Sequence, residues 1–311
     1  MKLDLIQKFE PANSVLSATS VDENTAVFLS YNDNDRYELL LVSNDDYKTL
    51  NLGLAEKYFS LDNNPVLFSF EKQFGVVKDQ NELLIYSNES QTFETIKIEN
   101  SQILPERVRL CYPTPISDCN ILPICFESDG FIGIPRYIAF LKIDALNKKA
   151  SWETWTSLEV KSFPHHKDEK YPPKVDSVMF KNNELYVFSS GGQITSVNKW
   201  GMDYYAFVKS SKNGVVNETL LDSGNLTSID DKKRGVNGQI SSSQDYLMLT
   251  PIFQSDEWKG KQKIFSLKSK EISDITFPRG FGKYPQIIEH FGNYFWVFLR
   301  DTKEIAICKE K

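Results

Sequence analysis

KVDSVMF (174–180), ELYVFSS (184–190), DYYAFVKS (203–210) and GVVNETLL (214–221) follow one another in the stretch 174–224, and their reading decides the fold. Only Lys181-Asn182-Asn183 separates the first two segments, and only Ser211-Lys212-Asn213 the last two. Each segment is short, rich in Val, Tyr and Phe, and bounded by Asn, Gly or Ser. β-branched and aromatic side chains suit a pleated surface, and Asn and Gly accept the backbone angles of tight turns. Four such strands in an antiparallel meander form one blade of a β-propeller.

The same unit recurs on both sides. Before it lie SVLSATS, TAVFLSY, RYELLLVS and YKTLNL, then PVLFSF, QFGVVKD, ELLIYS and TFETIKI, then the less regular RVRLCY, NILPICF, RYIAFLKI and ASWETWTSL. Pro113 and Pro115 end the first strand of that third unit, and Pro123 requires an edge or a bulge because it has no N–H to give a ladder. After the template come GQISSS, DYLMLTP, KQKIFSL and EISDITF. The last unit has three strands, PQIIEHF, NYFWVFL and EIAICKE. Its missing outer strand is supplied by KLDLIQK (2–8), which resembles other fourth strands. First-strand starts at 15, 66, 108, 175, 236 and 285 give a mean spacing of (285 − 15)/5 = 54 residues, near the period of roughly 50 found in kelch-type repeats. The expectation is an all-β, six-bladed β-propeller, a single domain over 1–311, with its last blade closed by the N-terminal strand. A seven-bladed ring, with 100–157 split in two, is the alternative.

Composition bounds the function. The chain has 42 acidic and 36 basic residues, a net charge of −6, the opposite of what a phosphate backbone attracts. No apolar run is long enough to span a bilayer, and the N-terminal MKLDLIQKFE carries no signal-peptide core. The expectations are no nucleic-acid partner, no membrane, and a cytoplasmic location. The four cysteines form no CxxC pair, and Cys125 and Cys308 read as small hydrophobes inside strands. His165-His166 is a lone His pair in a polar loop, so no metal and no cofactor are expected. GxSxG, HExxH and GxxxxGK[ST] are absent from the sequence.

Loop length singles out one face. Connections from first to second strands are short, as at Glu71-Lys72 and Lys181–Asn183. The long ones, 128–135, 157–173, 191–203, 222–236, 252–260 and 278–284, join second to third strands or one unit to the next. They leave a meander from the opposite side, and long loops in compact domains tend to carry function. Phe131, Arg136, Phe163, His165, His166, Tyr171, Trp200, Arg234, Trp258, Arg279 and Phe281 lie in them, and aromatic and Arg side chains are the common anchors of interfaces. The sequence therefore points to a non-enzymatic protein that binds a macromolecular, expectedly protein, partner on this face. An immunity-type inhibitor of a toxin is one form, since an acidic inhibitor gains association rate on a basic target. A carbohydrate-active or calcium-dependent hydrolase at the channel mouth is the alternative, because the long loops also hold several carboxylates.

Overall fold

The computed structural model describes every residue except 11–13, 33, 35, 56–63, 112, 129–136, 158–173, 195–201, 214, 227–235 and 252–259. Strand β1 (Leu3–Phe9) precedes a meander of β2 (Val15–Ser20), β3 (Thr25–Tyr31), β4 (Arg36–Ser43) and β5 (Tyr47–Ala55). A second comprises β6 (Val66–Phe70), β7 (Gln73–Val77), β8 (Glu82–Ser87) and β9 (Thr92–Glu99). Next come β10 (Val108–Leu110), β11 (Pro115–Ser117), β12 (Ile121–Ser128), β13 (Tyr137–Asp144) and β14 (Lys149–Ser157). They are followed by β15 (Lys174–Lys181), β16 (Glu184–Ile194), β17 (Met202–Lys212) and β18 (Val215–Leu226). The chain ends with β19 (Val236–Ile240), β20 (Tyr246–Pro251), β21 (Lys261–Ser266), β22 (Ile272–Thr276), β23 (Gln286–Phe291), β24 (Tyr294–Leu299) and β25 (Glu304–Glu310).

Turn chemistry sets the registers. Asn182 and Asn183 both take positive φ, 52° and 59°, the pair of left-handed residues that a two-residue hairpin needs to match strand twist. Lys181 pairs with Glu184 across that turn. Glu71 and Lys72 adopt the same conformation at φ 49° and 64°, although neither residue type favours it. Within a strand, alternate residues then face opposite neighbours. In β3, Val27 and Leu29 enter an apolar cluster shared with the β6–β9 meander, while Ala26 and Phe28 enter one shared with β23–β25. The layers between meanders, not any single sheet, are where the core sits.

Contacts between neighbouring units run in circular order. β2 contacts β6, β6 contacts β11, β11 contacts β15, β15 contacts β19, and β23 contacts both β20 and β2. The ring is closed by the two ends of the chain. β1 lies antiparallel on β25, Leu3 opposite Glu310 and Phe9 opposite Ile305. Lys8 Nζ reaches Glu304 Oε2 at 3.0 Å, and Leu3 and Phe9 are buried on opposite sides of the closing sheet. Met1 and Lys2 run on to β22, where the Thr276 N–H donates to the Met1 carbonyl.

Three expectations are corrected. The third unit does not simply stop at its prolines: after β10, Pro115–Ser117 crosses to the next unit and pairs parallel with β15, Pro115 opposite Val178 and Ser117 opposite Phe180. Both ends of the presumed loop 191–203 are strand, since β16 and β17 stay paired out to Ile194 and Met202. Asp203 and Asp222 are thus ladder residues, opposite Gln193 and Ala206, and the link after β18 begins beyond Leu226. Pro123 does lie where the ladder leaves room. It is opposite Phe140 of β13, and β10 reaches only Phe126 to Ser128 on the other side.

Candidate functional site

The polar centre of the ring is built from first strands and the turns that follow them. Three first strands carry a β-bulge near their start: between Val15 and Ser17, between Val175 and Ser177, and between Ile287 and Glu289. A bulge re-aims the side chain that follows it. That residue is polar and buried in every case, Ser17, Ser177 and Glu289. Ser177 Oγ accepts the N–H of Ile240 at 2.8 Å, tying the fourth unit to β19. Glu289 ties the last unit to the turn that follows that strand. Its Oε1 accepts the N–H groups of Ser242 (2.9 Å) and His290 (2.6 Å).

From Glu289 a line of hydroxyls crosses the centre. Ser242 Oγ lies 2.8 Å from Glu289 Oε2 and 3.1 Å from Thr19 Oγ1; Thr19 Oγ1 lies 2.6 Å from Ser69 Oγ, which in turn lies 3.1 Å from the Ser20 carbonyl. Ser242 Oγ donates to Glu289 Oε2 at one end and Ser69 Oγ to the Ser20 carbonyl at the other, with Thr19 Oγ1 between them. Removal from water pushes the Glu289 carboxyl up to about 8 against the hydrogen bonds it accepts from Ser242 and His290. Burial thus favours the neutral carboxyl. His290, buried against Phe295 and Tyr246 with Nδ1 2.8 Å from Ser243 Oγ, is pushed by burial down to about 4 and is neutral.

Above the hydroxyls opens a cavity of about 590 Å³. Its walls come from the turns between β2 and β3, β6 and β7, and β19 and β20, with the end of β23 and the tip of β11. Every turn named follows a first strand, so the cavity is the channel mouth on the short-turn face. Sequence reasoning missed it, having looked to the long loops. Glu289 in PQIIEHF, a strand that also holds the polar Gln286 and His290, gave no distinct signal of it.

Of the residues expected to bind a partner, Phe131, Arg136, Phe163, His165, His166, Tyr171, Trp200, Arg234 and Trp258 lie outside the described residues. Arg279 is exposed in the link between β22 and β23. Phe281, two residues on, is 5% exposed. Its ring stacks on Phe277 at 6.2 Å and lies under the Lys8 ammonium at 5.5 Å, so it roots the link in the core beside the closing strand. Cys125 and Cys308 are buried in apolar clusters. Among the described residues no group of three or more His, Cys, Asp or Glu could hold a metal ion, and no helix is long and apolar enough to cross a membrane.

Radially packed meanders around a polar centre, with end-to-end closure, define an all-β β-propeller. The chain is similar to the β-propeller domain of Cps50 (Swd1) from Myceliophteria thermophila, 7% identical over 99% of this chain and 100% of that one, with a TM-score of 0.53. It is also similar to the α-L-arabinanase of Penicillium chrysogenum complexed with arabinobiose, 10% identical over 100% and 98% of the two chains, TM-score 0.53. No protein-family model and no curated protein matches the sequence.

Proposed function

We propose that this propeller has six blades in one domain and is a non-enzymatic binding protein that recognises a protein partner through its long-loop face. The blade count is supported by six apolar clusters among the described residues, each shared by two neighbouring meanders. Residues 108–157 contribute the single unit β10-β12-β13-β14, joined to β9 by a short parallel pairing at Ala150–Ile98.

The observation that carries the binding role is the unequal treatment of the two strand ends. On one side β6 to β7, β15 to β16 and β23 to β24 are joined by two residues each. On the other, segments such as 158–173, 227–235 and 252–259 intervene between strands. Stability does not call for that length, whereas recognition does. The acidic excess suits a basic partner, as in an immunity-type inhibitor.

The test replaces 158–173 and 227–235 by short Gly-Ser connectors and compares capture of partners from the native organism. The expected result is one partner held at fixed stoichiometry by the natural chain and lost by a variant with an unchanged melting midpoint. Equal capture by the variant would move the site off this face, and turnover of a polysaccharide by the purified chain would replace the reading with hydrolysis.

A further inference from the structure

We propose that Cys111 and Cys125 form a redox site, a cross-strand dithiol that a low-molecular-weight disulfide oxidises to an intramolecular bridge clasping β10 to β12. Both thiols are free in this structure. Three observations single out the pair. The first is register. β10 and β12 are antiparallel, with Arg109 opposite Glu127 and Leu110 opposite Phe126, so the next rung sets Cys111 opposite Cys125. The Cys111 N–H donates to the Cys125 carbonyl at 3.0 Å, which marks a hydrogen-bonded rung. Cα atoms on such a rung are about 5.5 Å apart, inside the span of roughly 4.4–6.8 Å that a disulfide bridges.

The second is direction. Side chains on one rung leave the sheet on the same side, and both cysteines enter one apolar cluster, with Val175, Val178 and Val187 of the next unit. After burial itself, Cys111 is the largest influence raising the Cys125 thiol above its ordinary pKa. Cys111 Sγ donates to the Arg109 carbonyl of its own strand at 3.6 Å, a weak bond that is readily given up. Cys308 packs in a different cluster, and Cys119 follows β11 in a turn.

The third is the gate. Burial pushes the Cys111 thiol up to about 12 and the Cys125 thiol well above its usual value, and the thiolate is the attacking species. The closed rung is therefore unreactive. β10, however, has three residues and is an edge strand of its sheet. Short edge segments open at lower cost than the fold as a whole. Once β10 lifts, one thiolate attacks oxidised glutathione, breaking its S–S bond and releasing one glutathione. The second thiol then attacks the mixed disulfide and releases the other. Two protein S–H bonds give one S–S bond, and the two protons and two electrons leave in two glutathione thiols. The clasp fixes the strand that carries Arg109, whose guanidinium lies 3.2 Å from Glu127.

The experiment equilibrates the full folded chain in mixtures of reduced and oxidised glutathione, alkylates free thiols and maps the peptides. The expected product is a Cys111–Cys125 disulfide that grows with the oxidised fraction, is reversed by dithiothreitol, and persists in C119A/C308A, which has no other thiol. The oxidised chain should melt about 2 °C or more higher. Its Cys111 amide should exchange with solvent about tenfold more slowly. C125A, which keeps Cys111 without its partner, should show neither change. No bridge in the folded natural chain, a bridge through Cys119 or Cys308, formation only in urea, or unaltered exchange at Cys111 after oxidation would overturn the proposal.

Discussion

Neighbouring parts of this ring are held together in two different ways. At the chain closure and at β11, backbone is laid against backbone: β1 on β25, and Pro115–Ser117 on β15. Around β19 the connections are made by side chains, Ser177 to the Ile240 N–H on one side and Glu289 to Ser242 on the other. A backbone ladder survives most substitutions, because every residue but proline brings the same donor and acceptor. A side-chain bridge depends on single residues and, at Glu289, on a buried ionisable group. The ring should therefore be robust to sequence at its seam and brittle to chemistry at β19.

The largest effect is expected from removing the seam altogether. Deletion of residues 1–9 bares the edge of β25 and takes Leu3 and Phe9 out of two clusters. The expected loss is about 5 kcal/mol or more, with edge-to-edge self-association. Thermal melting with light scattering measures both, and an unchanged midpoint would erase the contrast. Glu289→Ala strands the Ser242 and His290 amides in a buried site, at a cost of about 2–4 kcal/mol. Glu289→Gln, which keeps an oxygen for them, should cost about 1 kcal/mol or less, and denaturant titration separates the two.

A smaller effect is read from pH alone. The Glu289 pKa is raised from 4.5 to about 8 by burial. Its stabilising contribution is whole below pH 4.5 and is lost as pH rises through 8. His290 is lowered from 6.5 to about 4, so its contribution is whole above 6.5 and is lost as pH falls toward 4. The two oppose each other between 4.5 and 6.5. From 6.5 to 8 only Glu289 changes, and stability should fall by about 1.4 kcal/mol per pH unit, about 2 kcal/mol in all. In Glu289→Gln that slope should flatten; an equal slope in both proteins would assign the titration elsewhere. The smallest effect is Ser177→Ala, which leaves the Ile240 N–H without its acceptor and should cost about 1 kcal/mol, measured by chemical denaturation.

The sequence revealed the seam because backbone pairing follows periodicity. LDLIQKF reads like a fourth strand, and the last unit lacks one, so the pairing of β1 with β25 could be anticipated, although its register could not. Turn residues such as Asn182 and Asn183 placed most strand ends. The side-chain bridges were hidden for the opposite reason. Each depends on a bulge, and a bulge breaks the alternation from which a residue's direction is read. Glu289, in PQIIEHF, reads as an ordinary strand residue until the register slips after Ile287. β11 was hidden because three residues that begin with a proline carry no period, and its parallel partner belongs to another unit. Of the expected contact residues, Phe281 shows why an aromatic in a connecting segment is ambiguous: its ring anchors the segment where an interface residue would project from it.

The fastening of β1 to β25 also fixes an order of events. β1 is made well before β25 and has no antiparallel partner until residues 304–310 leave the ribosome. Until then the sheet of β23 and β24 lacks its other two strands. Completing that one sheet therefore turns an open stack into a closed ring.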